Sequence, residues 1–171
     1  MTTAFLHTSS KWYAVYTRPR WEKKVAANLA EKGIPHYCPL NKVHKQWSDR
    51  IKVVHEPLFK GYVFVQIDEK HKWDIKKIDG ILNFVHWLGK PAVVKEEEIN
   101  TIRKFLQEFE DVEVRNASLE TSDNVYVKQG LLMNYKGIVL EVMGNKARVK
   151  IESMGLQLSA LFDVKNLELM Q

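Results

Sequence analysis

The chain has 171 residues, of which 45% are hydrophobic and 27% charged, and these proportions suit one medium or two small globular domains. No apolar run approaches the roughly 18 residues that a membrane span needs, and residues 1–10 lack the basic-then-apolar order of a signal peptide. Cys38 is the only cysteine, so an intrachain disulfide is excluded and we expect a cytoplasmic protein with no membrane partner.

The net charge of +5 is unevenly distributed, because residues 11–60 hold eleven Lys or Arg against four Asp or Glu. A localised basic surface is typical of a protein that binds a phosphate-bearing partner. Scattered, solvated lysines would give the same count, so charge alone leaves both interpretations open.

Residues 11–17, KWYAVYT, alternate like a strand. Arg18-Pro19-Arg20 ends that strand, and apolar residues then recur at helical spacing from Trp21 to Leu29 until Gly33. The opposite side of the predicted helix is polar. Together with the two arginines it forms what we call the cationic corner, which consists of Arg18, Arg20, Lys23 and Lys24, with Asn28 beside them.

Residues 35–47 are predicted to be extended, with a hairpin turn near residues 49–50 and a strand from residue 51 that leads into residues 55–67. This last stretch has a proline turn at Pro57, a bend at Lys60-Gly61 and a strand over 62–67. Alternation places Tyr62, Phe64 and Gln66 on one face and Val63, Val65 and Ile67 on the other.

A short helix is predicted over residues 72–78, with Trp73 and Ile78 inward and Lys76 and Lys77 outward, followed by a turn at Asp79-Gly80. Residues 81–94 supply at least one further strand. A helix with an apolar stripe from Ile99 to Phe109 then begins at three glutamates, which we interpret as favourable charges at a helix N-terminus rather than as a metal cluster.

These elements predict an α+β fold in two domains. The first, residues 10–109, is a four-stranded antiparallel sheet with helices packed on it, in a ferredoxin-like arrangement. A linker covers residues 110–121, and residues 122–171 form a small SH3-like all-β barrel, because short strands there alternate with glycines. The helices need the aliphatic face of the sheet, so we expect its aromatic face (Trp12, Tyr16, Tyr62 and Phe64) to be open to a partner.

Nearly the whole chain resembles a known family. The segments KWYAVYT, PLFKGYVFV and GKPAVV, with the basic corner, resemble the N-terminal domain of NusG-type transcription elongation factors, and the tail VYVKQGLLMNYKGIVLEV resembles a KOW module. Lys60 stands where the family usually has proline. The Glu-Pro-Leu-Phe segment and the corner are closer to the RfaH-like specialised paralogues.

The resemblance implies sites for several partners. In such factors the open aromatic face binds the clamp helices of the RNA polymerase β′ subunit, and a position matching Trp73 touches the β gate loop; Trp12 fits the core better. The corner matches a surface that contacts the displaced non-template DNA strand, which Lys76 and Lys77 would extend and on which Trp21 would stack if exposed. The implied polymerase-binding residues are Tyr16, Phe59, Tyr62, Phe64 and Trp73.

In the KOW module, loop aromatics of the general factor bind Rho or a small-subunit ribosomal protein. Leu132 and Met154 fill those positions here, so the resemblance implies a partner site in outline. An RfaH-type refolding of the tail into helices is disfavoured by its glycines and β-branched residues, and Glu56 opposite Arg148 is the pair to inspect for it.

We therefore expect a monomeric, operon-specialised elongation or antitermination factor. Motifs of a phosphate loop or a nucleophile elbow are missing, and His36 with Cys38 has no second ligand pair at zinc spacing, so no enzyme, cofactor or metal is predicted. Two alternatives stay open: a stand-alone RNA-binding or ribosome-associated protein, since RRM sheets also display aromatics, and a general factor that couples to Rho.

Overall fold

The computed structural model of the chain describes residues 9–87, 89–116 and 123–170. In chain order the elements are β1 (Lys11–Thr17), α1 (Glu22–Glu31), β2 (His36–Tyr37), β3 (Leu40–Gln46), β4 (Ile51–Pro57), β5 (Tyr62–Ile67), α2 (Lys72–Lys76), β6 (Ile81–Phe84), β7 (His86–Trp87), β8 (Lys90–Pro91), β9 (Val93–Val94), α3 (Glu96–Glu108), β10 (Glu113–Asn116), β11 (Asn124–Val127), β12 (Lys136–Met143), β13 (Lys146–Ser153), β14 (Leu156–Asp163) and β15 (Leu167–Leu169). None of the described helices is long and apolar enough to cross a membrane.

Two compact units make up the described chain. The first combines the residues up to 39 with residues 59–99, and the second combines residues 40–58 with the residues from 100 onward. The boundaries of these units differ from the domain boundaries predicted from the sequence. The predicted domain boundaries stay a prediction.

The first unit is built on an antiparallel sheet in the order β2-β5-β1-β6, with β9 also paired to β1. Its aliphatic face behaves as predicted: Val63, Val65 and Ile67 are fully buried and join Tyr13 and Val15 in one core. The same core receives Val25 and Leu29 of α1, Ile75 of α2 and Ile78 from the turn after α2. The need of the two helices for an aliphatic surface therefore explains which face of the sheet they cover.

One inward residue of α2 was predicted wrongly. Ile75 and Ile78 face the core, whereas Trp73 is 73% exposed. The helix is only five residues long, so its short periodic pattern fits more than one phase, and the smaller isoleucines occupy the inward positions.

The acidic start of α3 has a local role, as predicted. The Lys95 backbone N–H donates to the Glu98 carboxylate at 3.0 Å, which satisfies a donor that the helix itself leaves unpaired. Glu96 accepts a hydrogen bond from the Trp12 indole Nε1. The Glu98 carboxylate therefore stabilises the start of the helix, and the Glu96 carboxylate fixes the position of the Trp12 ring.

The second unit contains the β3–β4 hairpin and a six-stranded sheet in the order β10-β14-β13-β12-β11-β15. The C-terminal region is all-β, and the α+β class predicted from the sequence is confirmed. The segment predicted as a linker contains β10, which pairs with β14 from Glu113↔Ser159 to Asn116↔Leu156. Backbone hydrogen bonds, rather than an apolar alternation, bring that polar segment into the sheet.

The β3–β4 hairpin differs from the prediction at the end that contains Pro57. β4 continues in register with β3 to the pair Leu40↔Pro57, so the turn comes after Pro57, at residues 58–61. Glu56 and Arg148, the two residues to inspect for an RfaH-type refolding, have other partners: Glu56 lies 2.6 Å from the Lys45 ammonium, and Arg148 lies 3.4 Å from Glu113.

Candidate partner and nucleic-acid interface

Tyr16 and Tyr62 are directly opposite each other on β1 and β5. Their ring centroids are 5.1 Å apart at 43°, and Tyr16 is 38% exposed while Tyr62 is half-buried. Burial, and then the charge and hydrogen bond of Tyr16, raise the pKa of the Tyr62 hydroxyl. We call these two residues the aromatic pair; near neutral pH Tyr62 offers a partner an uncharged ring with a hydroxyl group.

The rest of the predicted aromatic face is not open. Phe59 and Phe64 are only 7% and 3% exposed, with their rings edge to face at 5.7 Å, and Tyr37 stacks on Phe64 at 6.5 Å. Burying a phenylalanine ring away from water stabilises the folded state. Phe59 and Phe64 are therefore interior residues here. Trp12 is buried as well, as predicted.

The cationic corner lies directly after β1. The Arg18 backbone N–H donates to the Gly80 carbonyl at 2.9 Å and the Trp21 N–H to the Arg18 carbonyl at 3.1 Å, and Arg20 adopts a left-handed φ of 64°. This tight turn leaves all four predicted cations exposed. The structure therefore brings Arg18, Arg20, Lys23 and Lys24 together at one strand–helix junction.

Trp21 is half-buried and packs against the core of the first unit. The Lys24 ammonium lies 3.8 Å and the Arg18 guanidinium 5.0 Å from its ring centroid, distances at which a cation is attracted to the π face. A Cβ on Gly80 would come within 2.7 Å of the Trp21 ring. The ring is thus held between the Gly80 backbone and the cations, which limits its availability for base stacking.

Asn28 and Asp79 lie beside the corner. The Asn28 amide Nδ2 donates to the Asp79 carbonyl at 3.1 Å, so the side chain predicted to read a base edge has a structural hydrogen bond. The Asp79 carboxylate lies 3.6 Å from the Arg18 guanidinium and reduces the local positive charge.

Glu22 is a buried acid beside the cationic corner that the sequence prediction missed. Its carboxylate is buried and accepts a hydrogen bond from the Gly61 backbone N–H at 2.7 Å, while the Thr17 N–H donates to the Gly61 carbonyl at 2.9 Å. These bonds join the bend before Tyr62 to the first turn of α1 and to the end of β1. The signal in the sequence was a single acid among the four cations between residues 18 and 24.

At the end of α2, Lys76 and the next residue, Lys77, are exposed, as predicted. The Lys76 ammonium lies 5.1 Å from the centroid of the exposed Trp73 ring, and Lys77 lies 3.5 Å from Asp74. The turn after α2 reaches the corner through Asp79. Trp73 therefore presents the largest exposed ring described in this unit.

In the all-β region, Leu132 is fully buried, so it belongs to the core rather than to the partner site predicted for it. The exposed apolar positions of that loop are its neighbours Leu131 and Met133. Met154 is half-buried at a turn with a left-handed φ of 55°.

Comparison with known proteins agrees with this architecture. The family model described as transcription termination factor nusG matches residues 10–103. The transcription termination/antitermination protein NusG of Chlamydia trachomatis serovar D is 28% identical over 82% of this chain and 83% of its own length. The protein of the same name from Streptococcus pyogenes serotype M3 is 24% identical over 84% and 87%.

The fold has a solved counterpart in Thermotoga maritima NusG, with a TM-score of 0.64 and 21% identity over 95% of this chain and 98% of that one. The chain belongs to the NusG family, as the sequence motifs indicated. Its relatives are transcription termination/antitermination factors, and membership of a family of transcription factors supports the expectation that the chain is not an enzyme.

Proposed function

We propose that this chain is a transcription elongation or antitermination factor that binds the β′ clamp helices of RNA polymerase through the aromatic pair and suppresses pausing or termination. The observation that carries the proposal is the Tyr16–Tyr62 pair, with Tyr16 exposed and Tyr62 half-buried, on paired strands of a NusG-family sheet. Binding that favours the active state of polymerase would act by shifting populations, without chemistry.

The aromatic pair suits a protein partner. Two tyrosines fixed on neighbouring strands lose little conformational freedom on binding, and aromatic anchors are frequent among residues that dominate interface energies. Phe59 and Phe64 would support the pair from the interior. We therefore assign the direct contact to Tyr16 and Tyr62.

The cationic corner would contact the non-template DNA strand. Arg18, Arg20, Lys23 and Lys24 are exposed at one turn, and such a cluster neutralises phosphates. The Glu22–Gly61 hydrogen bond would fix the corner beside the aromatic pair. Lys76 and Lys77 extend the track, and Trp73, with its exposed ring, is our candidate for the β gate loop.

Copurification of the full chain with RNA polymerase tests the main proposal. The variant Tyr16→Ala with Tyr62→Ala is expected to weaken binding by about 30-fold or more, the range of interface hot spots. The control variant, Val142→Ala with Leu169→Ala, removes exposed apolar side chains of the all-β region and should bind as wild type. Equal binding by all three proteins would refute clamp binding through the pair.

A stand-alone RNA-binding role is separated from clamp binding by salt. Binding to RNA through the corner would weaken steeply between about 50 and 200 mM salt as counterion release becomes less favourable. Binding of the aromatic pair to polymerase should change little over that range. Tight, salt-sensitive RNA binding without polymerase binding would favour the alternative.

The all-β region gives a specific reason to keep a second role, as a general factor that couples to Rho or to a small-subunit ribosomal protein. Leu131 and Met133 are exposed apolar residues on one loop, the kind of surface that a protein partner covers. Operon specialisation is our preferred proposal, and transcription assays with and without Rho distinguish the two: a specialised antiterminator reduces termination, whereas a general coupling factor increases it when Rho is present.

A further inference from the structure

The β3–β4 hairpin has chemistry that the proposed polymerase and DNA contacts leave unused. Its two strands pair from Leu40↔Pro57 to Gln46↔Ile51, and the Trp47 backbone N–H donates to the Arg50 carbonyl at 2.8 Å to close the turn. His44 contacts Asp111, and every residue from Lys45 to Val53 is exposed. The distal half of the hairpin is therefore a surface without a covering element in the described chain.

One face of this distal half collects cations around an indole ring. Lys45 and Lys52 are directly opposite each other, and Trp47 and Arg50 are the first and last residues of the turn that joins the two strands. The Lys52 ammonium lies 4.9 Å from the Trp47 ring centroid, so these two side chains share the face. We call Lys45, Trp47, Arg50 and Lys52 the hairpin tip surface.

The arrangement is unfavourable for folding alone. Like charges at directly opposite strand positions destabilise an antiparallel pair, and Trp47 leaves 51% of its surface in water. Glu56 neutralises Lys45 at 2.6 Å, which leaves the positive charge of the face concentrated near the ring at Lys52 and Arg50. An exposed ring flanked by cations is the combination that single-strand binders use, because a base stacks on the ring while cations contact the neighbouring phosphates.

We infer that the hairpin tip surface binds single-stranded DNA, with a base on Trp47 and phosphates at Arg50 and Lys52. The choice of DNA rests on the proposed function, in which the chain acts on a transcribing polymerase. Charge complementarity selects a nucleic acid over a protein for this face. The exposed apolar residues Ile51 and Val53 follow the opposite alternation and belong to the other face.

The experiment measures binding of the full chain to a labelled oligothymidylate of about 12 nucleotides by fluorescence anisotropy, at about 50 to 200 mM salt. Trp47→Leu should weaken binding about tenfold, whereas Trp47→Tyr, which keeps a stacking ring, should stay within about threefold of wild type. Arg50→Ala with Lys52→Ala should weaken binding at low salt and reduce the slope of log affinity against log salt by about 1.4.

Lys128→Ala with Lys165→Ala removes the same charge from exposed positions elsewhere and should match wild type. The inference is overturned if the tip variants bind as wild type, if the control loses as much affinity, or if an oligouridylate or a duplex of the same length binds more than about tenfold tighter. Thermal melting of Trp47→Leu excludes a loss caused by unfolding. Polymerase copurification of the tip variants is expected to be unchanged, so failure here is distinct from failure of the proposed clamp contact.

Discussion

The two faces of the sheet in the first unit come from the same strands and have different fates. On the aliphatic face Val63, Val65 and Ile67 are all fully buried. On the aromatic face burial is graded along the strands, from Phe64 inside to the exposed Tyr16 at the end of β1. Strand alternation specifies which side chains share a face, but the degree of exposure along that face depends on what the fold brings against it. Only the residues at the edge of a predicted binding face can therefore be accessible to a partner.

The largest effect that would sharpen this comparison is expected at Phe64. Because the ring is buried and contacts both Phe59 and Tyr37, Phe64→Ala should lower the free energy of unfolding by about 3–5 kcal/mol. Urea denaturation measures it. Tyr16→Ala, at the exposed end, is the control and should cost much less. If Phe64→Ala were nearly as stable as wild type and had lost polymerase binding, the aromatic face would be open after all.

A smaller effect on the aliphatic side is expected at Gly80. A Cβ there would lie 2.7 Å from both the Trp21 ring and the Val25 side chain, at a φ of +94°, so Gly80→Ala should destabilise the fold by about 1–3 kcal/mol. Gly61→Ala is a matched control, because its φ is +84° but nothing lies within 4 Å of the added carbon. The difference in melting temperature between the two variants isolates the steric part; equal melting temperatures would mean that Trp21 is not held against Gly80.

The smallest effect on the comparison of the two faces is expected from the reactivity of the Cys38 thiol. Cys38 packs against the aliphatic core. Burial, and then the nearby Glu22 carboxylate, raise the pKa of its thiol to about 11. A raised thiol pKa leaves the thiol neutral below that value, so alkylation at pH 8 should be roughly a hundredfold slower than for a free thiol with a pKa of about 8.5. The rate should rise toward pH 11.

Glu22→Gln tests separately how much the Glu22 charge raises the pKa of the Cys38 thiol. The substitution removes the charge and keeps a hydrogen-bond acceptor for the Gly61 N–H. Alkylation of Cys38 should become faster in this variant. A rate that reaches its plateau near pH 9 in the wild-type chain would contradict the burial of Cys38.

Much of the fold was predictable because its signals are local. The strand over residues 11–17, the helix that ends before Gly33 and the inward Val63, Val65 and Ile67 follow from alternation, helical spacing and a helix stop. Strand β10 was not predictable in the same way: Glu113–Asn116 contains a single apolar residue, and its place in the sheet comes from backbone pairing with β14. Such long-range pairing leaves no periodic signal in the segment itself.

The candidate site was predictable in its residue types and less so in its exposure. The cationic corner lies where the sequence indicated, and Tyr16 and Tyr62 are accessible. Phe59, Phe64 and Leu132 are buried instead, because an apolar residue matched to a binding position serves equally well as core. Glu22 could not be assigned from sequence, since its partner is the backbone of a residue 39 positions away.

The link between the hairpin and the segment before β10 has a consequence for the order of folding. The Asn41 amide and the Val112 backbone exchange two hydrogen bonds, at 2.8 and 3.1 Å, across 71 positions. The hairpin's own pairing closes only a short loop and can form in about 1–10 μs, but the base of β3 acquires this buried partner only when residue 112 has left the ribosome. During synthesis the hairpin can therefore pair before it is anchored, and until residue 112 arrives the Asn41 amide depends on water for its hydrogen bonds.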